Sequence, residues 1–290
     1  MNNILQLMNK SRNMQINRNE KDRPSVSVFR KEDRMRTIQK KVLVALLLVI
    51  LITCFQGAAL GEKTLSILGD SISAYKGYIP DGYEAYYDGE TAGVLSVEQM
   101  WWSVVAGELG YRISTVNAWS GSRVATIENP ESAMCMDRTG QLAENGIPDV
   151  IIILGGVNDF LRVTPLGNWE NQAEPGSETF RQAYAMMLEK IRANYPDADV
   201  WCCTLPVWEW DGEPDDPETS GGQTKVDFDE AIRKIAGDFD CGVIELDDFG
   251  ITHDNLQSYV GDYIEKTGTG LHPNAAGQEL IARKIIQALN

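Results

Sequence analysis

Short apolar runs alternate with longer amphipathic segments over residues 62–290. Five of these runs predict β-strands, because each is rich in apolar or β-branched residues and is bounded by polar or Gly-containing segments. One of them contains Val-Ile-Ile-Ile-Leu, a continuous apolar run typical of a strand that is buried on both faces. The predicted strands are 64–68, 112–116, 149–154, 199–205 and 242–246.

The longer segments between these strands predict helices, because their apolar residues recur about every 3.6 residues. A chain in which strands and helices alternate predicts a parallel sheet covered by helices on both faces. We therefore expect one α/β domain over residues 62–290, a three-layer α/β/α sandwich with a flavodoxin-like five-stranded parallel sheet. The predicted helices are 96–109, 179–194, 228–239 and 275–289.

The first 61 residues have a different pattern. Residues 1–41 hold 11 Lys and Arg against 4 Asp and Glu, and a run of 12 uncharged, mostly apolar residues follows at 42–53. Small residues then follow at 58–61, an order typical of a signal peptide. The apolar run is short for a membrane-spanning helix of about 20 residues, although extension to Leu60 makes an anchor possible. We expect residues 1–61 to be a basic extension plus a signal peptide or membrane anchor. The protein would then be exported, and either secreted or attached to the cell surface.

Two details of this segment leave alternatives open. Met35 begins a more ordinary signal sequence than Met1 does, so translation can start there instead. Residues 51–54 resemble a bacterial lipobox, in which Cys54 would carry a lipid, although Thr53 stands where a smaller residue is usual. Contact with a membrane is therefore expected only through the N-terminal segment, if that segment is uncleaved or lipidated.

Charge and known motifs exclude several classes of function. Residues 42–290 hold 15 Lys and Arg against 38 Asp and Glu, and a domain this acidic repels nucleic acid. It also favours neutral or weakly charged substrates unless a local basic patch offsets its field. The chain has only two His, and it lacks C-x-x-C, His-Glu-x-x-His, Walker A and dinucleotide-binding motifs. We expect neither a metal nor a cofactor.

The segments that follow the predicted strands carry the candidate chemistry. Gly-Asp-Ser lies at 69–71, after the first strand, although alone such a turn often only caps a helix. Ser71 becomes a candidate nucleophile because His272 lies in Gly-Leu-His-Pro-Asn at 270–274, just before the last helix. A serine hydroxyl is a weak nucleophile until a neighbouring base takes its proton.

Two further segments can stabilise an oxyanion. Asn158 follows the most apolar strand in Gly-Gly-Val-Asn-Asp at 155–159, and a side-chain amide there can donate to a tetrahedral intermediate. Gly121 follows the second strand and offers a backbone N–H. Each of these residues could instead belong to an ordinary turn.

In order and spacing, these four segments resemble the motifs of the SGNH (GDSL) hydrolase family. The resemblance implies a three-layer α/β/α fold, with Ser71 as the nucleophile and His272 as the base. It also implies an oxyanion hole formed by the backbone N–H of Ser71, the backbone N–H of Gly121 and the side-chain amide of Asn158.

One position departs from the family pattern. The family usually has Asp three residues before the histidine, where this chain has Thr269. A carboxylate in that role orients the imidazole and stabilises its protonated form. A backbone carbonyl near Thr269 could replace it in a Ser–His dyad, or Asp262 or Glu265 could reach in from the preceding turn.

Three loops are expected around Ser71, at 75–87, 161–176 and 206–224. Trp169, Trp208 and Trp210 in the last two could stack on a sugar, although Trp208 and Trp210 could instead cover the apolar underside of their own loop. We expect a serine esterase for short-chain acyl esters, with O-acetyl groups on carbohydrate as the substrate. The alternatives are a thioesterase or lysophospholipase-type acyl hydrolase, and a weakly active glycan-binding relative that lacks the usual Asp.

Overall fold

The computed structural model describes residues 40–43, 62–170, 176–206, 222–246, 249–266 and 268–290. The chain divides into two compact units, Met1–Gly61 and Glu62–Asn290. In the first unit only the helical residues 40–43 are described, so the predicted signal segment and Cys54 lie outside the described residues. No helix within the described ranges is long and apolar enough to span a membrane.

The second unit is built on a five-stranded sheet in which every pairing is parallel. The strand order is β2-β1-β3-β4-β5, as in the predicted flavodoxin-like sheet. All five predicted strands are present, and each differs from the prediction at one end, by one or two residues. The strands are β1 (Thr64–Gly69), β2 (Arg112–Ala118), β3 (Val150–Leu154), β4 (Asp199–Cys203) and β5 (Gly242–Ile244).

Helices cover the sheet, and every residue of β3 is buried, as expected for a central strand. Helix α1 packs against α5, and α3 packs against α4. The three-layer α/β/α prediction is therefore confirmed. The helices are α1 (Trp101–Leu109), α2 (Val157–Leu161), α3 (Phe180–Asn194), α4 (Lys225–Asp238) and α5 (Ala275–Leu289).

The predicted helix at 96–109 is shorter in the structure. Val97–Gln99 forms a separate 3₁₀ turn, and Met100 is extended, with ψ of 140°. The Gln99 side chain accepts the backbone N–H groups of Leu95 and Ser96, which closes that turn before α1 begins. A capping side chain thus splits an apolar pattern that runs through both segments.

Helix α4 begins three residues earlier than the periodicity predicts. The Thr224 side chain accepts the N–H of Asp227, and the Asp227 carboxylate accepts the Thr224 N–H. This reciprocal capping box fixes the start of the helix. The first turn was missed because it is mostly polar and shows no apolar period.

The register of the sheet determines where the loops emerge. Gly69 at the end of β1 pairs with Ala118 on β2 and with Leu154 on β3. The three strands therefore end at the same level, and the segments that follow them lie side by side. In an open parallel sheet, ligands bind at this carboxyl edge.

The cysteines of the described part are free thiols. Cys135, Cys202 and Cys203 are buried, and Cys241 is half-buried. The three buried cysteines therefore pack in the core as small apolar side chains do.

Candidate active site

Ser71 lies in the turn that follows β1, and only 4% of its surface is exposed. The Asp70 carboxylate accepts the Ile72 N–H at 3.0 Å, which shapes the turn locally. The turn requires glycine at position 69, since a Cβ there would lie 2.7 Å from the Ser73 Oγ. The short path from strand to turn holds Ser71 at the edge of the sheet.

Ser71, His272 and Asp262 form a continuous chain of hydrogen bonds. The Ser71 Oγ lies 2.9 Å from the His272 Nε2, and the His272 Nδ1 lies 2.7 Å from the Asp262 Oδ2. The second carboxylate oxygen of Asp262 accepts the backbone N–H groups of Leu271 and His272, each at 2.9 Å. Asp262 therefore fixes both the imidazole ring and the backbone that carries it.

The charge of Asp262 determines which nitrogen of His272 bears the proton. Burial alone would raise the pKa of Asp262, but the hydrogen bond and charge of His272, with the two backbone N–H groups, hold that pKa below its ordinary value. An ionised Asp262 accepts a hydrogen bond from the Nδ1–H. The Nε2 of the neutral ring is then left as an acceptor for the Ser71 hydroxyl.

The orienting group therefore lies at Asp262 rather than near Thr269. The Thr269 carbonyl accepts the Ile264 N–H at 2.7 Å, so its hydrogen bond is made within the loop. The chain doubles back between Val260 and Pro273, which form an antiparallel bridge, and Asp262 thereby comes within hydrogen-bond distance of the His272 Nδ1. The sequence leaves Asp262 and Glu265 as equal candidates, because this fold-back has no local signature.

Tyr86 stacks against the face of the His272 ring. Its ring lies 3.4 Å from the His272 ring between centroids, with an angle of 11° between the planes. Burial and the nearby Asp262 raise the pKa of Tyr86, so its phenol stays neutral. Tyr86 belongs to the Tyr-rich loop that the sequence places near Ser71, but the pattern of that loop does not show which tyrosine meets the imidazole.

The predicted oxyanion donors line one cavity with the serine. Gly121 adopts φ of 75°, in the left-handed region that favours glycine. Asn158 lies in the first turn of α2, and its side-chain amide donates to the Ser122 carbonyl at 3.0 Å. The cavity has a volume of 300 Å³, and its lining residues are Ser71, Ser120, Gly121, Asn158, Leu161, Arg162, Leu271 and His272.

Arg138 is a buried residue beneath this site that sequence reasoning missed. Its guanidinium donates to the Asn117 side chain, the Ser122 hydroxyl and the carbonyls of Gly69, Asn117 and Ser132, at 2.7 to 3.0 Å. It thereby ties the end of β1 to the end of β2 and to the segment that bonds Asn158. No sequence signal marks it, because it lies in a single 3₁₀ turn, Asp137–Gly140, which is too short to show a periodic pattern.

Two buried carboxyl groups adjoin the catalytic turn. Burial raises the pKa of Asp70 to about 7, although the Ile72 N–H and the Arg138 charge lower it. Burial also raises the pKa of Asp159 to about 6, although this group accepts the N–H groups of Val124 and Ala125. Asp70 and Asp159 both lie in segments that follow strands, and their hydrogen bonds with backbone N–H groups stabilise those segments.

Of the three tryptophans predicted to face the substrate, Trp169 lies within the described residues and is placed differently. The Trp169 ring lies 3.8 Å from the Arg181 guanidinium and 5.0 Å from the Lys234 ammonium, and it is not among the residues that line the cavity. Trp208 and Trp210 lie outside the described residues. Within the described part of the chain, no three His, Cys, Asp or Glu side chains are grouped so as to hold a metal ion.

Arg162 lines the cavity, and the sequence analysis overlooked it. Arg162 directly follows α2, a short helix that the sequence pattern did not predict, so no sequence signal placed it beside Asn158.

Comparison with known proteins supports the same assignment. Residues 63–205 match the family described as GDSL-like Lipase/Acylhydrolase. A structure described as a GDSL-like lipase from Bacteroides ovatus is 27% identical, with a TM-score of 0.59, and the match covers 79% of this chain and 98% of that one. A second, from Bacteroides uniformis, is 23% identical, with a TM-score of 0.61, over 79% of this chain and 96% of that one.

A third similar structure is a family two carbohydrate esterase from Clostridium thermocellum in complex with cellohexaose. It is 19% identical, with a TM-score of 0.50, and the match covers 78% of this chain and 63% of that one. No curated protein matches the chain.

The family match begins at β1 and includes Ser71, Gly121 and Asn158, and the fold brings His272 within hydrogen-bond distance of that serine. The family match over residues 63–205, just under half of the chain, and the similar Bacteroides ovatus structure together support an SGNH (GDSL) hydrolase, and hence an ester hydrolase.

Proposed function

We propose that this protein is a serine esterase that removes short acyl groups, with acetyl groups on carbohydrate as its substrate. The proposal rests above all on the hydrogen-bonded chain from Ser71 through His272 to Asp262. Such a chain activates a serine hydroxyl for acyl transfer and needs no metal or cofactor.

In the proposed mechanism, the Ser71 Oγ attacks the ester carbonyl while its proton moves to the His272 Nε2. The oxyanion of the tetrahedral intermediate accepts hydrogen bonds from the backbone N–H groups of Ser71 and Gly121 and from the Asn158 amide. The alcohol leaves with the proton from Nε2, and an acyl group remains on Ser71. Water then attacks the acyl-enzyme by the same route, and Asp262 stabilises the imidazolium in both steps.

The size of the cavity supports a short acyl group. A volume of 300 Å³ lies at the low end for sites that hold small molecules. Two leucines, Leu161 and Leu271, provide the apolar part of the lining, and the rest is polar or glycine. A thioesterase or lysophospholipase would need a longer apolar groove than this lining offers.

The alcohol is proposed to be a carbohydrate by comparison. The carbohydrate esterase from Clostridium thermocellum has the same fold, and this supports a sugar ester as substrate. The alternative of a weakly active glycan-binding relative was based on the absence of Asp at position 269. Asp262 supplies a carboxylate at 2.7 Å from the imidazole, which supports an active enzyme.

Export remains part of the proposal. It is supported by the basic segment 1–41 and the apolar run 42–53, which together resemble a signal peptide. Expression of the full chain in a bacterial host, followed by fractionation and intact mass measurement, tests it. Cleavage near residues 58–61 supports secretion, and a lipid-sized mass increase on Cys54 supports an anchor.

The catalytic assignment is tested with Ser71→Ala. We expect hydrolysis of p-nitrophenyl acetate and acetylated xylan to fall by at least about 10³-fold, because the nucleophile is lost. The wild-type enzyme should prefer the acetate to the octanoate and palmitate esters. Ser103→Ala on α1 is the matched control and should keep its activity. Ser71→Ala with unchanged hydrolysis of every ester would show that another residue is the nucleophile.

A further inference from the structure

We infer that the site selects esters with an anionic group close to the scissile bond, and that Arg162 binds that group. This inference rests on the proposed esterase function and names the substrate class more closely. Arg162 follows α2 directly, and its backbone N–H donates to the Asn158 carbonyl at 3.1 Å. Its side chain lines the same cavity as Ser71 and His272.

The guanidinium of Arg162 lies over the oxyanion loop. Its Nη2 is 3.2 Å from the position that a Cβ on Gly121 would occupy. The charged group therefore sits beside a predicted oxyanion donor, within the space that a bound ester must enter. Arg162 is exposed, so an entering ligand can reach it.

Arg162 also differs from the other arginines of the described part of the chain. Its guanidinium donates no hydrogen bond and forms no ion pair with a described residue, whereas every other described arginine donates to an oxygen. These partnered arginines are Arg112, Arg123, Arg138, Arg181, Arg192, Arg233 and Arg283. In a domain with so many carboxylates, an arginine at the cavity that has no partner among the described residues is available to bind a ligand.

The charges around the cavity favour an anion. Among the described residues that line it, only Arg162 and His272 carry basic groups, and no carboxylate lines it. The carboxylate of Asp262 is taken up by His272 and two backbone N–H groups. The cavity therefore offers a local positive charge that offsets the field of an acidic domain.

The shape of a guanidinium narrows the ligand class. Its planar fork binds a carboxylate or sulfate through two parallel hydrogen bonds, with more energy than a neutral hydroxyl gives. Such a group can belong to the alcohol part, as in an acetylated uronic acid, or to the acyl part, as in a dicarboxylic half-ester. Both sources share the same chemistry at Arg162, and substrates with the charge on one part or the other distinguish them.

The experiment measures specificity in the full-length protein with Arg162→Gln. Acetylated polygalacturonate is compared with acetylated xylan, and p-nitrophenyl hydrogen succinate with p-nitrophenyl acetate. For at least one pair, we expect the ratio of kcat/KM for the anionic to the neutral ester to fall about tenfold in the variant. The loss should lie mainly in KM. In the wild type the ratio should decrease as salt is added, because the contact is exposed.

Arg112→Gln is the matched control. It removes the same charge from the opposite end of β2 and should leave both ratios at the wild-type value. Ratios that stay unchanged in Arg162→Gln, or an equal loss on anionic and neutral esters, would overturn the inference. Those results leave the esterase proposal standing, since that proposal depends on Ser71→Ala.

Discussion

The two halves of the catalytic site are held in different ways. The nucleophile half, defined as Ser71, Gly121 and Asn158, follows three neighbouring strands and is fixed from below by buried Arg138. The base half is defined as His272 with Asp262 and Tyr86. His272 and Asp262 lie on a fold-back after β5, where their side chains are 14% and 30% exposed, and Tyr86 reaches them from the loop between β1 and β2.

Because of this difference, we expect substitutions in the nucleophile half to affect mainly stability and substitutions in the base half to affect mainly the catalytic rate. In the nucleophile half, the bonds that place the catalytic groups also hold the sheet edge together, so their removal should lower the free energy of unfolding. In the base half, the contacts are local and partly exposed, so their removal should slow catalysis in a folded enzyme. Variants in each half test that separation.

The largest effect is expected from Asp262→Asn in the base half. The amide oxygen can still accept the two backbone N–H groups, but the amide nitrogen cannot accept a proton from Nδ1, so the imidazole takes the wrong tautomer. We expect kcat to fall about 10³–10⁴-fold on p-nitrophenyl acetate. The free energy of unfolding in urea should change by less than about 1 kcal/mol.

Glu265→Gln is the control for that variant, because the sequence left Glu265 as the other candidate. It should keep wild-type kcat. A large loss in Glu265→Gln together with an active Asp262→Asn would mean that the orienting carboxylate is Glu265.

The next largest effect is expected from Arg138→Met in the nucleophile half. The substitution leaves the buried side-chain oxygen of Asn117 and the Ser132 carbonyl without the Arg138 donor, and it removes one of the donors to the Gly69 carbonyl. We expect the free energy of unfolding to fall by about 3–5 kcal/mol, measured by urea denaturation. Arg112→Met removes one exposed hydrogen bond and should cost less than about 1 kcal/mol. Equal stability of the two variants would contradict the proposed division between the halves.

Asp70 makes the stability of the nucleophile half depend on pH. Its pKa is raised to about 7 in the folded protein, so between pH 4 and 7 the folded state binds a proton that the unfolded chain has released. Stability should therefore fall as pH rises through this range. Between pH 5 and pH 8, the wild type should lose about 2–3 kcal/mol more than Asp70→Asn, measured by urea denaturation. Asp137 is exposed, so Asp137→Asn should lose as much stability between pH 5 and pH 8 as the wild type does. If Asp70 were ionised over the whole range, Asp70→Asn would also show the same loss as the wild type, and this result would contradict the prediction.

The same division explains what the sequence could predict. The five strands and the placement of Ser71, Gly121 and Asn158 follow from local patterns, because residues after parallel strands share one edge. Asp262 lies 10 residues from His272 and joins it only through a fold-back, which leaves no periodic trace. Arg138 reaches the site from a single 3₁₀ turn that is too short to show a pattern. The ends of strands can be predicted from local sequence patterns, but contacts between segments far apart in the sequence are seen only in the structure.

Tyr86 gives the smallest expected effect and the finest test of the base half. Its ring face lies against His272, where it can stabilise the imidazolium that forms during acyl transfer. Tyr86→Leu should lower kcat/KM for p-nitrophenyl acetate by about 5–10-fold, while Tyr86→Phe keeps the ring and should stay within about twofold of the wild type. If Tyr86→Phe lost as much activity as Tyr86→Leu, the hydroxyl rather than the ring face would be responsible. Neither variant should lower the free energy of unfolding as much as Arg138→Met, because the base half is held by contacts that the sheet does not need.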